Sequence, residues 1–600
     1  MRSVLVWLAL LGPALASAQI IELLSPRDDQ QAPPVTSREF FNVLGRTTPG
    51  AVVHVGGEAV TVFATGVFAR DRVPLAPGLN QISIEAALPG AAPAQRVLQI
   101  ERVAPPAAVQ WPGARLFVDG ASLRPDLAQV VAPGETVEVS VRATAGQRVT
   151  ARLPGQRWAP LTETTPGRYR AALRFGGEDE VAAAPVQVRI EAHGLPIDRH
   201  APKLITVLTP GTAGQWRTDP ERLFAAGSDG ADLLHGLHDV RLGGPFLAEL
   251  PAGTLLQASG RHGEHLRVQL SPDSVAWVAE RQLQPAVAGT ARPQAFFTTL
   301  SVAGSAEGDV VNIPLAAPVP YAVRDAVDAA GRHTLEVEIY GAHHATTWIS
   351  HRASSRLVRE VSVLQAGPGR VLLRVLPHAA RLWGWRVERT ATALRIVLRG
   401  APGIVSTGPP LAGLHIAVEA GHGSADNLGA VGATGVPEKD INRWTAEALQ
   451  SELEAAGATV TVVRVADDNP DLRQRARRVL ESQAMLFVSI HANSADTGNG
   501  FLRVSGTSMY YKHAISRDLA AAVQRRLLDQ TGLPDFGLVG NFNYTPIRLL
   551  SWMPAVLVEQ AFVSHPGDEA QLLDPAFRAR LAKAVRAGIE DFLRSARPPG

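Results

Sequence analysis

The sequence predicts a multidomain chain: several all-β modules followed by one α/β domain, whose central, mostly parallel sheet is flanked by helices. A chain of 600 residues is too long for a single hydrophobic core and corresponds to about three to five domains. Short runs of alternating apolar residues, separated by Pro and Gly, extend to about residue 400 and are typical of β modules. From Leu414 onward, apolar runs alternate with helical patterns, which favours an α/β layer fold.

The composition excludes one class of partner and one class of site. Positive and negative charges nearly cancel, to a net charge of +2, so nucleic acid is not an expected partner. The chain contains no cysteine, which excludes a Cys-type structural zinc site. Any metal site must therefore use His, Asp and Glu ligands.

The first residues have the three-part pattern of a secretory signal peptide. Arg2 gives a basic start, Val4 to Leu11 form an apolar run, and Ala16-Ser17-Ala18 is a cleavage pattern. This run is well short of the ~20 residues that span a bilayer, and no later stretch is long and apolar enough. We therefore expect residues 1–18 to be a signal peptide and the protein to be exported to the periplasm or cell envelope, without a transmembrane span.

Two β-sandwiches are predicted next, over residues 19–104 and 108–202. In the first, the turn residues Thr48-Pro49-Gly50 and Pro77-Gly78 separate β-branched strands, a layout that resembles small immunoglobulin-like modules of secreted bacterial proteins. In the second, the alternation from Val137 to Val141 indicates a half-buried strand.

Two further β modules are predicted before the α/β domain, over residues 203–286 and 290–402. The stretch from Leu250 to Leu255, followed by the aromatic strand Val275 to Val278, is similar to a bacterial SH3-type barrel. The second module carries alternating strands such as Leu335 to Ile339.

Local patterns assign the elements of the α/β domain, over residues 411–597. Asn469 is predicted as an N-cap and Pro470 as the first residue of the helix that follows. The other predicted elements are the helices Lys439 to Ala456, Ile515 to Leu528 and Phe577 to Leu593, and the strands Thr459 to Val463, Met485 to Ile490 and Ala555 to Val558.

Potential metal ligands fall at the ends of these elements. His422 follows the first strand, Glu438 opens the first helix, and His491 follows a buried strand. Because parallel strands end at one edge of a sheet, these side chains are expected to converge there. Two imidazoles and one carboxylate leave a fourth position of tetrahedral zinc for water, the layout of a catalytic site. Glu559, after another apolar strand, would reach the same edge and take a proton from the water.

Each of these residues, taken alone, also has a structural interpretation. His422 could satisfy turn backbone groups, Glu438 could be a first-turn carboxylate favoured by the helix dipole, and His491 could be a hydrogen-bonded core residue. Glu559 follows an apolar strand directly, so its carboxylate must be paired or lie in a solvated cleft. The ordered set favours the metal site.

The same residues carry a resemblance to a known family. The matching segments are Val418-Glu419-Ala420-Gly421-His422-Gly423, Gly435-Val436-Pro437-Glu438-Lys439-Asp440, Leu472-Arg473-Gln474-Arg475, Val488-Ser489-Ile490-His491-Ala492-Asn493 and Met553-Pro554-Ala555-Val556-Leu557-Val558-Glu559. In this order they resemble the zinc-dependent N-acetylmuramoyl-L-alanine amidases that accompany cell-division and sporulation proteins.

The resemblance implies a function and a set of roles. His422, Glu438 and His491 would bind Zn²⁺, and Glu559 would be the catalytic carboxylate. The substrate would be peptidoglycan, cut at the amide between N-acetylmuramic acid and L-alanine. Asn493 and Arg548 are the candidate substrate contacts.

The resemblance also gives the β modules a role. The module at residues 290–402 resembles the AMIN-like targeting domain that often precedes such amidases. The β modules together are where cell-division or wall-polymer partners would bind. The short run from His491 to Tyr511 lacks the helical insert of self-inhibited relatives, which implies an open site.

The sequence departs from the family pattern beside the site. Glu419-Ala420 stands where the family usually has Asp-Pro, Ser424 replaces a Gly, and Gln560-Ala561 precedes Phe562 in place of a Gly-Phe pair. Two alternatives therefore stay open. One is a zinc peptidase that acts on stem peptides, and the other is a wall-binding scaffold that is catalytically inactive.

Overall fold

The computed structural model describes residues 20–27, 32–103, 116–126, 128–132, 134–175, 181–192, 195–208, 222–237, 245–328, 331–378, 382–402 and 408–595. The predicted signal peptide lies outside these residues, as does the segment 105–107 between the two predicted sandwiches. The described helices include none with the length and apolar character needed to cross a membrane. The predicted order of β-rich modules followed by an α/β domain is confirmed.

The first β module (residues 20–103) consists of two sheets, with strand orders β1-β3-β6 and β2-β8-β7-β4-β5. Its strands are β1 (Glu22–Ser25), β2 (Val35–Thr36), β3 (Phe40–Arg46), β4 (Val52–Val55), β5 (Glu58–Val60), β6 (Val67–Pro74), β7 (Gly78–Ala87) and β8 (Ala94–Arg102). Alternate residues of facing strands, such as Val53, Phe68 and Ile84, are fully buried and form the core between the sheets.

The second β module (residues 116–208) also has two sheets, ordered β10-β17-β16-β12-β13 and β14-β15-β11-β9. Its strands are β9 (Val118–Arg124), β10 (Gln129–Val131), β11 (Thr136–Ala143), β12 (Arg148–Arg152), β13 (Ala159–Pro160), β14 (Thr162–Thr165), β15 (Arg168–Arg174), β16 (Val181–Ala192) and β17 (Leu195–Val207). Strand β17 continues past residue 202, the predicted end of this module, because it pairs along its length with β16.

The third β module (residues 222–285) is one seven-stranded sheet of order β20-β19-β23-β22-β21-β18-β24. Its elements are β18 (Leu223–Ala226), β19 (Ala231–Leu234), β20 (Phe246–Leu250), β21 (Leu255–His262), β22 (His265–Ser271), β23 (Ser274–Ala279), the 3₁₀ helix η1 (Glu280–Gln282) and β24 (Leu283–Pro285).

The fourth β module (residues 295–399) has sheets of order β29-β25-β26-β33-β32 and β27-β28-β31-β30. Its strands are β25 (Ala295–Gly304), β26 (Asp309–Ile313), β27 (Tyr321–Val327), β28 (His333–Tyr340), β29 (Ala342–His351), β30 (Val358–Gly367), β31 (Arg370–Pro377), β32 (Gly384–Arg389) and β33 (Leu394–Arg399). The immunoglobulin-like, SH3-type and AMIN-like identities of these modules stay predictions.

The C-terminal domain (residues 408–595) has a six-stranded sheet of order β35-β34-β36-β39-β37-β38. Strands β34, β35, β36 and β39 pair in parallel, and β37 joins β39 antiparallel. The elements are β34 (His415–Ala420), α1 (Glu438–Ala455), β35 (Thr459–Val462), α2 (Leu472–Glu481), β36 (Leu486–Asn493), η2 (Thr497–Asn499), β37 (Thr507–Tyr511), η3 (Ala514–Ser516), α3 (Arg517–Thr531), β38 (Asp535–Val539), α4 (Thr545–Leu549), β39 (Ala555–Phe562), α5 (Pro566–Leu573) and α6 (Pro575–Ser595).

One predicted helix start is wrong. Helix α2 begins at Leu472, and its N-cap is Asp471, not Asn469. The Asp471 carboxylate accepts the backbone N–H of Gln474 at 2.8 Å, and the Gln474 side chain accepts the N–H of Asp471 at 3.0 Å. This reciprocal capping box gives hydrogen-bond partners to two backbone N–H groups at the start of the helix, those of Gln474 and Asp471. The Asn469 side chain makes neither of these bonds. Asn469 accepts instead from Asn427, at 3.0 Å.

The third and fourth β modules pack directly on the C-terminal domain. Arg473 of α2 pairs with Asp232 at 2.8 Å and with Glu249, both in the third module. Trp383 of the fourth module is fully buried in the core of the C-terminal domain, and its indole N–H donates to the carbonyl of Met485 at 3.0 Å.

The first β module docks on the loop between β36 and β37. Asp71 accepts the backbone N–H groups of Phe501 and Leu502, at 2.7 and 2.9 Å. Asn42 donates to the carbonyls of Thr497 and Gly498, both at 3.2 Å. The backbone of this loop is therefore bound by side chains that lie more than 400 residues earlier in the chain.

An apolar contact completes this docking. The Phe501 ring packs among Leu44, Val67 and Ala69 of the first module. A side chain at Gly500 would collide with Asp71, so only glycine allows the close approach.

Replacing Asp71 by Ala removes the acceptor of two backbone donors. We expect a loss of roughly 1–3 kcal/mol in the free energy of loop docking. The amides of Phe501 and Leu502 should then exchange with deuterium faster than in the wild type. The exposed Glu85, elsewhere in the same module, is the matched control as Glu85→Ala. Equal exchange in Asp71→Ala and the wild type would contradict the docking contact.

Candidate active site

The sheet brings the four predicted chemical residues to one edge. His422 follows β34, Glu438 is the first residue of α1, and His491 lies in β36. His491 and Glu559 are register partners across the parallel pair β36 and β39, so their side chains point to the same face of the sheet. Strand β39 runs on to Phe562, and Glu559 therefore lies within the strand instead of directly after it.

The two potential histidine ligands converge on one oxygen of the third potential ligand, Glu438. The Oε1 atom of Glu438 lies 3.1 Å from Nε2 of His422 and 3.2 Å from Nδ1 of His491. One ligand atom from each residue lies within 4.8 Å of both others. Tetrahedral ligands at ~2.0–2.1 Å from Zn²⁺ are themselves about 3.3 Å apart, so these separations suit a common metal ion.

The surroundings hold each ligand in place. The Nδ1 atom of His422 lies 2.9 Å from Oδ1 of Asn427, which orients the ring. The carboxylate of Glu438 accepts the backbone N–H groups of Ala430 and Ala492, at 3.0 and 3.1 Å. Asn442, one turn later in α1, donates to the same carboxylate at 3.1 Å.

Close backbone approach makes room for the imidazoles. A Cβ atom at Gly421 would collide with the ring of His491. A Cβ atom at Gly429 would lie 2.6 Å from Glu438 and 2.7 Å from His422, and Gly429 also has a φ of +71°. The two glycines therefore shape the space around the ligands.

The charges of the site follow from burial and pairing. Burial by itself would raise the pKa of Glu438, but hydrogen bonds from His422 and His491 hold it well below its usual range. Burial and the neighbouring charge of Glu438 raise the pKa of Glu559 well above its usual value. A raised pKa makes the carboxylate a stronger base and so suits Glu559 to proton transfer.

The buried side-chain atoms that lack a hydrogen-bond partner in the described part of the chain include two that belong to this site. They are Nε2 of His491 and Oε2 of Glu559. Buried polar atoms are usually paired, so these two atoms are available to a group bound in the site. Together with the two-imidazole, one-carboxylate donor set, this fits a divalent metal ion of the zinc type and a polar reactant.

A buried ion pair supports the loop that carries His422. Arg475 of α2 and Glu419 of β34 are 1% and 0% exposed and lie 2.7 Å apart. Arg475 also donates to the carbonyl of His422 at 2.6 Å, and His422 has a left-handed φ of +65° that is uncommon for a residue with a Cβ atom. Tyr544 donates to Glu419 at 3.1 Å and packs edge-on against the His491 ring, with 5.4 Å between centroids.

Two carboxylates at the start of α5 accept hydrogen bonds from the backbone of the segments around the site. Asp568 accepts the N–H groups of Gly506 and Phe562, at 2.9 and 3.0 Å. Glu569 accepts those of Ala433 and Thr434, at 3.1 and 3.0 Å. The loops next to Glu438, His491 and Glu559 are thus bound to one helical turn.

The predicted substrate contacts lie in different surroundings. Asn493 ends β36, half-buried, and donates to the Tyr510 hydroxyl at 3.2 Å. Arg548 pairs with Asp232 at 3.2 Å, and its guanidinium lies 4.0 Å above the ring of Phe246, both in the third β module. Substrate contact by Asn493 and Arg548 stays a prediction, and the partners of Arg548 give it no support.

Comparison with known proteins places this domain in a family. The family model described as N-acetylmuramoyl-L-alanine amidase matches residues 416–591. The Bacillus subtilis (strain 168) protein YqiI is 34% identical over 187 residues, which are 30% of this chain and 86% of YqiI. The chain belongs to this amidase family. The predicted family is thereby confirmed.

Other similar proteins carry the name of the family. LytC of Bacillus subtilis (strain 168), named an N-acetylmuramoyl-L-alanine amidase, is 32% identical over 189 residues, which are 31% of this chain but only 36% of LytC. The catalytic domain of the amidase CwlV from Bacillus (Paenibacillus) polymyxa var. colistinus is 33% identical, with 30% of this chain and 98% of that chain covered and a TM-score of 0.28.

The sequence did not predict several residues of the amidase site. Asn442 could have been found, because it lies four positions after Glu438 and so on the same helix face. Gln560, noted only as a departure from the family pattern, is buried and donates to Asn442 at 3.1 Å. Asn427 and Tyr544 gave no local signal, since their partners are distant in the chain or lie in loops.

Removing Arg475 should leave the Glu419 charge buried without its partner. We expect Arg475→Met to lower the free energy of unfolding of the amidase domain by about 3–5 kcal/mol. The double variant Arg475→Met/Glu419→Gln should recover part of that loss, since the uncompensated charge is gone. Urea unfolding of the full chain gives the free energy of unfolding of each variant, from the transition that belongs to the amidase domain. A double variant no more stable than Arg475→Met would contradict the ion-pair interpretation.

Proposed function

We propose that this protein is a zinc-dependent N-acetylmuramoyl-L-alanine amidase that cuts the bond between N-acetylmuramic acid and L-alanine in peptidoglycan. The observation that most directly supports this proposal is the convergence of His422, Glu438 and His491 beside Glu559, whose buried Oε2 atom has no hydrogen-bond partner. Membership of the amidase family supports the choice of bond.

The residues that would hold the metal are His422, Glu438 and His491. Zn²⁺ bound there supplies Lewis-acid chemistry, which polarises an amide carbonyl and lowers the pKa of water to about 7. Asn442 and the backbone N–H groups of Ala430 and Ala492 keep the Glu438 carboxylate oriented. Asn427 fixes the ring of His422.

Glu559 would move the proton. Its carboxylate accepts a proton from the attacking water and returns it to the departing amine of L-alanine. Burial beside Glu438 raises the pKa of Glu559, which makes its carboxylate a stronger base. The Glu559 backbone is fixed by pairing with both β36 and β37.

The place of action would be the cell envelope. The Staphylococcus aureus protein LytH, 31% identical over 185 residues, is named a probable cell wall amidase, and this supports an extracytoplasmic role. Export to the periplasm or envelope through the predicted signal peptide completes the proposal. The β modules would hold the wall polymer or a division partner.

Glu559→Gln should keep the metal and lose turnover. We expect the release of L-alanine amino groups from intact sacculi to fall by roughly 10²–10⁴-fold, since the general base is lost. Glu447→Gln, at an exposed position of α1, is the matched control and should keep wild-type activity. New α-amino groups are scored on each residue type, alongside new reducing sugar ends.

The same assay separates the alternatives. New amino groups on L-alanine from the wild type support the amidase. New amino groups on other stem residues would identify a peptidase. A folded, zinc-loaded wild type that releases nothing would identify a binding scaffold.

His491→Ala should lose the metal. Zinc content of the purified full chain should fall from about one ion to well below half an ion per chain, because a three-ligand site needs every ligand. His351→Ala replaces an exposed histidine of β29 and should keep the zinc. Full zinc in His491→Ala would remove this residue from the ligand set.

A further inference from the structure

A cleft of about 480 Å³ lies where the first β module meets the amidase domain. The module contributes most of the wall, and one residue comes from the docked loop. The lining residues are Arg38, Glu39, Phe40, Arg72, Pro74 and Asn499.

The cleft adjoins the loops of the active site. Asn499 belongs to the loop that leaves β36 after His491. The N–H of Ala495, in the same loop, donates to the Ser564 hydroxyl at 2.9 Å, in the loop that leaves β39 after Glu559. The cleft and the active site are therefore joined by one loop, which leaves the strand of His491 and carries Asn499.

The two walls of the cleft are fixed to each other. Asp71 and Asn42 hold the loop backbone, and Arg38 donates to the carbonyl of Gly498. Phe501 packs into the module on the same loop. The cleft is thus a formed feature of the full chain, built by two domains together.

The cleft presents guanidinium groups. Arg38 and Arg72 are exposed, and in the described residues neither is paired with a carboxylate. The Arg72 guanidinium lies 4.2 Å above the ring of Phe40, which holds its plane and leaves its N–H edges accessible. Glu39, the acidic residue of the wall, is paired with Arg102 at 3.2 Å.

The other carboxylates nearby are engaged with the backbone. Asp71 accepts the N–H groups of Phe501 and Leu502. Asp496 accepts the N–H of Gly498 at 2.9 Å. Among the described residues of the cleft, Arg72 is therefore the cation most available to a ligand, and Arg38 offers the guanidinium N–H groups that its bond to Gly498 leaves over.

We propose that this cleft is a substrate subsite for a carboxylate-bearing peptide, with Arg72 and Arg38 as the carboxylate-binding groups. Guanidinium groups bind carboxylates through paired N–H donors. The segment recognised would be the acidic stem peptide attached to the scissile amide, so the inference rests on the proposed function. The first β module then contributes directly to substrate selection.

Direct binding to the full, zinc-loaded chain tests the subsite. The probes are the tripeptide L-Ala-D-Glu-diaminopimelate and the same tripeptide with its carboxyl groups amidated. At low salt the wild type should bind the acidic peptide roughly three- to ten-fold more tightly, and Arg72→Gln should abolish this preference. Arg170→Gln makes the same charge change on the exposed face of the second β module and should keep it.

Turnover supplies the second readout. With muramoyl-tripeptide substrates, Arg72→Gln should raise KM for the acidic substrate by a similar factor and leave kcat unchanged. A wild type without preference for the acidic peptide, or a preference that survives Arg72→Gln, would overturn the subsite. If the binding preference is present but no substrate is turned over, the proposed function fails and the subsite stands.

Discussion

The carboxylate of Glu438 is the group on which the site depends. It is buried, and two imidazoles, two backbone N–H groups and the Asn442 amide all point at it. A buried charge is tolerated only when such partners compensate for lost solvation. The position of Glu438 in turn requires α1 to begin at that residue and the strands β34 and β36 to end beside it. The sheet therefore serves mainly to bring these partners together.

The support of the site extends beyond the amidase domain. The first turn of α5 binds the surrounding loops through Asp568 and Glu569. Asp71 of the first β module binds one of the same loops from outside. Loops that carry catalytic groups must be held by a rigid scaffold, and here part of that scaffold is a separate module. The β modules are for this reason more than spacers along the chain.

The departures from the family pattern acquire partners in the folded chain. Glu419 pairs with Arg475 and accepts the Tyr544 hydroxyl, so its longer side chain is accommodated. The Gln560 side chain donates a hydrogen bond to Asn442, which in turn donates one to Glu438. This departure from the family pattern is therefore hydrogen-bonded, through Asn442, to a potential metal ligand. Neither change indicates a catalytically inactive domain. Each adds a contact behind the site and leaves His422, Glu438, His491 and Glu559 in place.

Local pattern was enough to predict the β-rich modules, the α/β domain and the placement of His422, Glu438 and His491 at element ends. These features depend on short-range periodicity and on the rule that parallel strands end at one edge. The tertiary structure decided the rest. Asp471 replaced Asn469 as the N-cap because its side chain completes a reciprocal pair. Arg548 bonds to a distant module, and Asp71 holds a loop that lies 430 residues later. Such contacts join residues far apart in the chain, and no local pattern encodes which of them will meet.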